Sequence, residues 1–537
     1  MPTNTQKPWE QSLGRFLEEV VSRNPGKTFI EIGGLSRTYQ EFYDGVRKSA
    51  AMFAVLGIEK GDRVCLFLPN CIEYVYSWFG LSLIGAIAVP VNTAYKRDEM
   101  AYILNNAEAK GLVTDPSLAD VAGAAADLAS CVKVRLLRGA EGSIPDGWTD
   151  FREAHVAAIA LESLPEISPH DISMLVYTSG TTGNPKGVQC THLMYVAAGQ
   201  GFAHWTEATS DDRFFTCLPY YHANIQYYST MGALAAGGTL VVVDRFSASR
   251  FWGQVREAQA TVVNFIGMMM PVLAKNEPLP DDKDNTVRLF YGSPSFPPEF
   301  LADFQDRFDT DIIVGFGMTE TCFGTIEKIG KERRAGSSGE PRQHPQGGFE
   351  NQVRIADPVT GVPVGVDTVG EITIHNPAIM PGYWRNDEQN AETLRDGWLY
   401  TGDLGWVDSD GFLYFVDRKK DIIRRRGENI SSQEVENVVK RHPNVLDCAV
   451  LAVPSELGED EVKAYVTPRE GATPDPEELV YWCAENLAYF KVPRYWEIRD
   501  ELPRTPSLRV RKDVLRQEKE DLIEGCFDRE ASGIKLR

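Results

Sequence analysis

The chain has 537 residues, of which 43% are hydrophobic and 24% charged, and its net charge is −21. That length is more than one hydrophobic core serves, so two or more domains are expected. The acidic balance argues against a nucleic-acid partner, and any basic site has to be local. Nine cysteines are scattered from Cys65 to Cys526 with no Cys-x-x-Cys pair, which suits free thiols in a reducing compartment better than a disulfide frame or a zinc site. The first residues lack the apolar core of a signal peptide. The expected location is therefore the cytoplasm.

In chain order, Leu13, Phe16, Leu17, Val20 and Val21 fall at helical spacing, which predicts a helix over 12–23. Thr38 followed three residues later by Glu41 reads as a capping box that opens a second helix. Residues 63–69 read as a buried strand. No charge occurs between Tyr74 and Tyr95, a stretch long enough to span a bilayer. Gly85, Pro90 and Asn92 interrupt it, so it is read as a buried helix to about Ile84 and a strand over 86–91. No stable membrane insertion is expected. The strand–helix–strand rhythm predicts parallel and mixed sheets covered by helices. It continues with a helical run from Thr191 to about Trp205, strands over 214–218, 239–243, 261–265, 288–291 and 311–315, and helices over 247–258 and 298–308. Short strands between Gly348 and His375 suggest a small β-rich unit. A compact α/β pattern follows, with helices over 432–441 and 476–487 and strands over 447–453 and 461–468. The expected domains are 1–418 and a smaller, mobile 419–537, so the fold class is α/β throughout.

The chain is organised around Tyr177-Thr-Ser-Gly-Thr-Thr-Gly-Asn-Pro-Lys-Gly-Val188. The hydroxyls of Thr178, Ser179, Thr181 and Thr182, the bare backbone of Gly180 and Gly183, and a mobile charge on Lys186 make an anion nest suited to a triphosphate. It is not the common P-loop, because its hydroxyls precede the lysine. The stretch resembles the phosphate-binding signature of the adenylate-forming superfamily: acyl-CoA synthetases, luciferases and the adenylation domains of peptide synthetases. Within it, the segments from Phe246 to Val255 and from Phe490 to Ile498 look most like crotonobetaine/carnitine-CoA ligases.

Other motifs extend the resemblance. In Gly315-Phe-Gly-Met-Thr-Glu320, with Gly315, Phe316, Gly317 and Met318 along the nucleotide, Thr319 is expected to bond a phosphate. Glu320 suits Mg²⁺, a hard cation that prefers carboxylate oxygens. Phe316 stands where the superfamily has tyrosine, so a hydroxyl is missing. The resemblance places Asp403 on both ribose hydroxyls, two acceptors facing two donors, with Arg418 reaching the ribose or phosphates. It places Gly292, Ser293 and Pro294 against adenine and His222 beside the reacting carboxylate. Six of the nine residues from Arg418 to Arg426 are basic. They lead, through Arg426, into Gly427 and Glu428, which resemble the loop lining the CoA tunnel; local positive charge suits polyanionic CoA. Lys420 sits at the superfamily's pivot. Glu371 and the segment Pro381-Gly-Tyr-Trp384 fit the family and are read as structural.

The resemblance implies an ATP-dependent acid–CoA ligase that uses ATP, Mg²⁺ and coenzyme A. The acid attacks the α-phosphate to give acyl-AMP and pyrophosphate, and the CoA thiol then displaces AMP. A usual C-terminal lysine is replaced in Arg504-Thr-Pro-Ser-Leu-Arg-Val-Arg-Lys512. Arg509 holds its column and is preferred. Lys512 is the second candidate, sharing a face with Arg509 if the segment is helical. The partner is a small carboxylic acid whose identity is open: short, branched, aromatic or quaternary-ammonium. Tyr227, Tyr228 and Trp205 are candidates for a cation cage or for plain core aromatics. A homodimer is allowed but not demanded. The alternatives are a non-catalytic nucleotide- or acyl-binding relative and an adenylating enzyme with another acceptor.

Overall fold

A computed structural model describes residues 7, 9–139, 144–178, 185–267, 269–293, 296–330, 333–419, 421–425, 428–454, 460–487, 489–505 and 509–536. The side chains of residues 422, 424, 428 and 429 are outside that description. So are Ser179, Gly180, Thr181, Thr182, Gly183, Pro294, Lys420, Arg426 and Gly427 among the candidate site residues. The chain divides into two compact units, 1–353 with 374–399, and 354–373 with 400–537.

The first unit holds two large sheets. One has eight strands, ordered Thr321–Ile326, Asp311–Met318, Leu289–Ser293, Val262–Ile266, Arg213–Thr216, Thr239–Val242, Thr28–Ile32 and Leu35–Thr38. The other has seven, ordered Thr149–Asp150, Val134–Leu137, Gly111–Thr114, Arg63–Phe67, Ile87–Pro90, Ile172–Thr178 and Lys186–Thr191. The first is parallel except for an antiparallel pair at each end, the second except for one antiparallel pair at one end. The two hairpins Ile172–Thr178/Lys186–Thr191 and Asp311–Met318/Thr321–Ile326 carry the candidate nucleotide residues. Both sit where a run of parallel strands stops.

The helices follow the sequence closely. Helix Leu13–Arg23 buries Leu13, Phe16, Leu17, Val20 and Val21, the five residues at helical spacing. Thr38 and Glu41 form the capping box of Tyr39–Val55. The uncharged stretch becomes helix Ile72–Ile84, buried at every position, and strand Ile87–Pro90. The helix stops at Gly85, whose φ of 72° is open to glycine at little cost. Its side chains join Tyr39, Tyr195, Phe214 and Val263 in one continuous core, where each fully buried large side chain contributes about 2 kcal/mol. No helix among the described residues is long and apolar enough to cross a membrane.

The second unit has strands from a small sheet (Gln352–Ala356, Gly370–His375, Trp398–Val407, Leu413–Arg418), with the unit boundary falling inside the first three. A hairpin Ile422–Arg425/Glu428–Ser431 and a four-stranded sheet follow. Helices Ser432–Lys440 and Pro476–Asn486 cover the core of that sheet through Val435, Val439, Leu479 and Cys483.

Candidate active site

Lys186 opens a strand whose register sets it opposite Thr178. The sequence reading gave it a mobile charge. Instead its ammonium donates to Gln389 Oε1 and lies 5.4 Å from the centre of the Tyr383 ring. Burial lowers its pKa, while Glu392 and Glu320 act to raise it.

Strand Asp311–Met318 runs past its expected end, and Thr319 and Glu320 form the turn into strand Thr321–Ile326. Small residues are needed before that turn. A Cβ on Gly315 would sit 2.7 Å from Thr325 O, and one on Gly317 would sit 2.8 Å from the Tyr228 hydroxyl. Met318 and Thr319 are half-buried, whereas Glu320 is only 6% exposed. The Tyr383 hydroxyl donates to Glu320 Oε1 at 2.8 Å. Among the described residues no group of three His, Cys, Asp or Glu side chains could hold a metal. Glu320 by itself still fits Mg²⁺, which keeps several waters and takes one or two carboxylates together with substrate phosphates.

One segment ties the two hairpins together. Met380 N–H donates to Glu320 O at 2.8 Å, and Ile379 bridges Thr321. A few residues on, Trp384 N–H donates to Gly187 O at 2.7 Å, and Tyr383 bridges Val188. Tyr383 thereby lies between Lys186 and Glu320. The sequence reading took Pro381-Gly-Tyr-Trp384 as structural and did not single out Tyr383, Gln389 or Glu392. Nothing local marks Tyr383 and Gln389, because Glu320 and Lys186 lie 63 and 203 residues away along the chain.

Gly292 is buried in strand Leu289–Ser293, and a Cβ there would sit 2.3 Å from Phe265 O; Ser293 is exposed at the strand end. His222 has a buried Nε2 with no hydrogen-bond partner among the described residues. Burial holds it neutral, with a pKa of about 4. Tyr227 and Tyr228 belong to an irregular helical turn, Ile225–Thr230, that the sequence gave no sign of. The Tyr227 hydroxyl donates to Thr319 O at 3.1 Å, the Tyr228 hydroxyl to Cys322 O at 2.9 Å, and the Trp205 indole to Gln343 O at 3.1 Å. With Tyr227 and Trp205 buried and all three polar tips engaged by backbone oxygens, these rings do not form an open cation cage.

In the second unit Asp403 and Arg418 face each other across paired strands, with Arg418 Nε 3.6 Å from Asp403 Oδ1. Gly402 lies within strand Trp398–Val407 at a φ of 72°, and its N–H donates to Glu371 Oε1 at 3.0 Å. The described side chains of the basic run, Arg418, Lys419 and Arg425, are spent internally. Lys419 pairs with Glu371 at 2.9 Å, and buried Arg425 pairs with Glu461 at 2.7 Å. Of the CoA-loop residues only the backbone of Glu428 is described, in strand Glu428–Ser431.

The two C-terminal cations differ. Helix Lys512–Gln517 starts at Lys512, so Arg509 precedes it and the shared helical face does not exist. Lys512 is engaged, its Nζ 2.7 Å from Glu436 Oε1 and 2.6 Å from Ser432 Oγ. Arg509 is exposed, and its side chain has no hydrogen bond or ion pair among the described residues. Asp403, Asp421, Glu436 and Arg418 are the charges that act on it.

The AMP-binding enzyme family model matches residues 17–384, and the AMP-binding enzyme C-terminal domain model matches residues 434–509. A crotonobetaine/carnitine–CoA ligase of Escherichia coli O8 (strain IAI1) is 36% identical over 483 residues, 88% of this chain and 92% of that protein. ATP-bound MatB from Rhodopseudomonas palustris superposes with a TM-score of 0.85 at 26% identity, covering 96% of this chain and 100% of that one. O-succinylbenzoate coenzyme A synthetase (MenE) from Bacillus subtilis, in complex with AMP, gives 0.82 at 26% identity, covering 95% and 98%. The chain belongs to the AMP-binding enzyme family. It is an ATP-dependent acid–CoA ligase, working through an acyl-adenylate.

Proposed function

We propose a division of labour for this ligation in which the first unit activates the acid and the second contributes the ribose contacts and a reaching cation. The observation that carries it is the convergence of Lys186, Tyr383 and Glu320 from three separate segments. Lys186 supplies a positioned positive charge for the triphosphate where charge develops as the acid oxygen attacks phosphorus. Glu320, oriented by Tyr383, would hold Mg²⁺, whose chemistry is to neutralise phosphate charge. His222 stays neutral and offers an unpartnered ring nitrogen to the acid. Asp403 accepts from the two ribose hydroxyls, and Arg418 lies beside it.

Arg509 is the C-terminal cation we assign to adenylation. Lys512 already has a carboxylate and a hydroxyl to hold, whereas Arg509 has no competing side-chain partner among the described residues, and a guanidinium is always charged and grips phosphate oxygens in pairs. The pivot between residues 1–418 and 419–537 is placed at Lys420, as the superfamily resemblance implies. Lys420→Pro fixes φ and should stop thioester formation more than adenylation. Nine unpaired cysteines support a reducing compartment, which we take to be the cytoplasm.

The test is AMP and pyrophosphate release with ATP across a panel of carboxylic acids, with and without CoA. Acyl-AMP is expected from the acid alone and the thioester once CoA is added. Accumulation of ADP or an acyl-phosphate would refute the adenylation chemistry. Acyl-AMP that CoA does not consume would point to another acceptor.

A further inference from the structure

Two consecutive tyrosines reach the hairpin that carries Glu320. Tyr227 and Tyr228 lie on the π-helical turn Ile225–Thr230, a few residues beyond His222. Such turns are rare and concentrate at functional sites. This one presents a pair of hydroxyls. Tyr227 donates to Thr319 O at 3.1 Å and Tyr228 to Cys322 O at 2.9 Å, so the two bonded carbonyls bracket Glu320. The hairpin's own ladder is irregular, with a register shift between Phe316 and Met318. A shifted ladder leaves backbone unpaired and bends the strand, so side-chain support there has a purpose. The approach is close. A Cβ on Gly317 would be 2.8 Å from the Tyr228 hydroxyl, and glycine is what admits it.

Tyr227 reaches the other hairpin as well. Its hydroxyl lies 3.2 Å from Sγ of Cys190, on the strand that Lys186 opens. The side chain is 1% exposed, and burial raises its pKa well above the ordinary tyrosine value, so the hydroxyl stays a donor. One buried hydroxyl thus touches both segments that carry the candidate phosphate and metal residues. A different segment holds Glu320 from its own side. Tyr383 bonds the carboxylate at Oε1, and Met380 N–H bonds the Glu320 carbonyl. Tyr227 adds the preceding carbonyl, so the side chain and the backbone on both sides of its peptide unit are fixed.

We infer that Tyr227, supported by Tyr228, is a positioning residue for adenylation: the pair fixes the Thr319–Glu320 turn and so the direction in which the Glu320 carboxylate is presented to Mg²⁺. The inference rests on the proposed metal role of Glu320 and adds what holds that carboxylate in place. Groups behind a metal ligand orient it, and their loss weakens metal binding although they never touch the ion. A carboxylate fixed beforehand also needs no reorganisation as charge develops on the phosphates.

The experiment uses the full chain and two readouts. The first is the ratio of the half-reactions: acyl-AMP formation from ATP, Mg²⁺ and an acid found active in the panel above, against conversion of supplied acyl-AMP to thioester by CoA, which needs no triphosphate. The second needs no turnover: the Mg²⁺ midpoint for ATP binding, measured by calorimetry without acid or CoA. Tyr227→Phe deletes only the hydroxyl. It should slow adenylation about threefold to tenfold and raise the Mg²⁺ midpoint by a similar factor, the worth of one hydrogen bond, with the thioester step unchanged. Tyr228→Phe should act in the same direction and by less, since its carbonyl lies further from Glu320. Tyr195→Phe is the control for a packing effect. Its ring is 4.9 Å from that of Tyr227, but its hydroxyl partners are Gln226 Oε1 at 2.6 Å and Met174 Sδ at 3.3 Å, neither of them on the turn. It should leave both readouts in place. Because the first readout is a ratio within one protein, a lower folded fraction cancels. The inference is overturned if Tyr227→Phe slows both half-reactions equally, if Tyr195→Phe moves the ratio as far, or if neither Tyr227→Phe nor Tyr228→Phe moves the midpoint. Glu320→Gln separates the two readings. A raised midpoint there, beside an unchanged one in Tyr227→Phe, would keep Glu320 at the metal and remove Tyr227. An unchanged midpoint in Glu320→Gln would overturn both.

Discussion

Two cations, one in each unit, are set up in opposite ways. Lys186 is half-buried, held by Gln389 and lying over the Tyr383 ring, so its position is fixed by packing before any nucleotide arrives. Arg509 is exposed, on a segment outside helix Lys512–Gln517, with no side-chain partner among the described residues. Lys512, three residues on, resembles Lys186 in being tied down, but to Glu436 and Ser432 within its own unit. In the proposed reading, the difference separates two jobs. A cation that must meet phosphate at a fixed point benefits from preorganisation, because no reorganisation is then needed as charge develops. A cation required for one half-reaction only has to be able to leave, and a strong resident partner would hold it back.

The sharpest way to break this comparison is Arg509→Ala beside Lys512→Ala. Arg509→Ala should slow adenylation about 10²–10³-fold, the cost of one electrostatic donor, while supplied acyl-AMP is still converted to thioester. Lys512→Ala should slow adenylation less than about tenfold. Its larger effect should be on stability, a loss of about 1–2 kcal/mol, because buried Glu436 loses its nearest cation and keeps Lys440 at 3.9 Å and the Val450 N–H. Single-turnover assays of each half-reaction and urea unfolding check this. Reversed effects would move the cation to Lys512.

Lys186→Ala should cost about 10²-fold in adenylation and, unlike Arg509→Ala, should raise the KM for ATP, since Lys186 is in place from the start. Equal KM effects in the two variants would erase the distinction. Asp403→Ala should raise the ATP KM about tenfold or more, the worth of a charged hydrogen-bonding partner, in a protein of unchanged melting temperature. An unaltered KM would remove Asp403 from the ribose.

Tyr383→Phe tests the packed half more gently. Losing one hydrogen bond to a carboxylate should weaken the apparent Mg²⁺ affinity about fivefold to tenfold, with kcat at saturating Mg²⁺ little changed. A Mg²⁺ titration reads this out, and an unchanged titration would make Tyr383 purely structural.

Histidine burial gives the smallest effect per group. His192, His222 and His344 are each held near pKa 4 by burial, below their ordinary 6.5. The unfolded chain binds protons that the folded chain refuses, so stability is fully present above about pH 6.5 and is lost as pH falls toward 4. Urea midpoints at pH 7, 6 and 5 should decline progressively. His222→Gln should flatten the slope by about one proton. A slope that is the same in the variant would show that His222 does not carry a depressed pKa.

Much of the fold was legible because it is periodic. The five buried residues of Leu13–Arg23 and the capping box at Thr38 and Glu41 follow from spacing alone. So does the splitting of the uncharged stretch at Gly85, where glycine takes a positive φ that ends the helix. The motifs around Lys186, Glu320, Asp403 and Arg418 were also legible, because contiguous residue types with definite chemistry mark them. The tertiary structure decided what depends on residues far apart in sequence. Tyr383 meets Glu320 across 63 residues, Gln389 meets Lys186 across 203, and Lys512 meets Ser432 across 80. A hydrogen bond needs its two groups within about 3 Å, and no local pattern states which distant strands will bring them there.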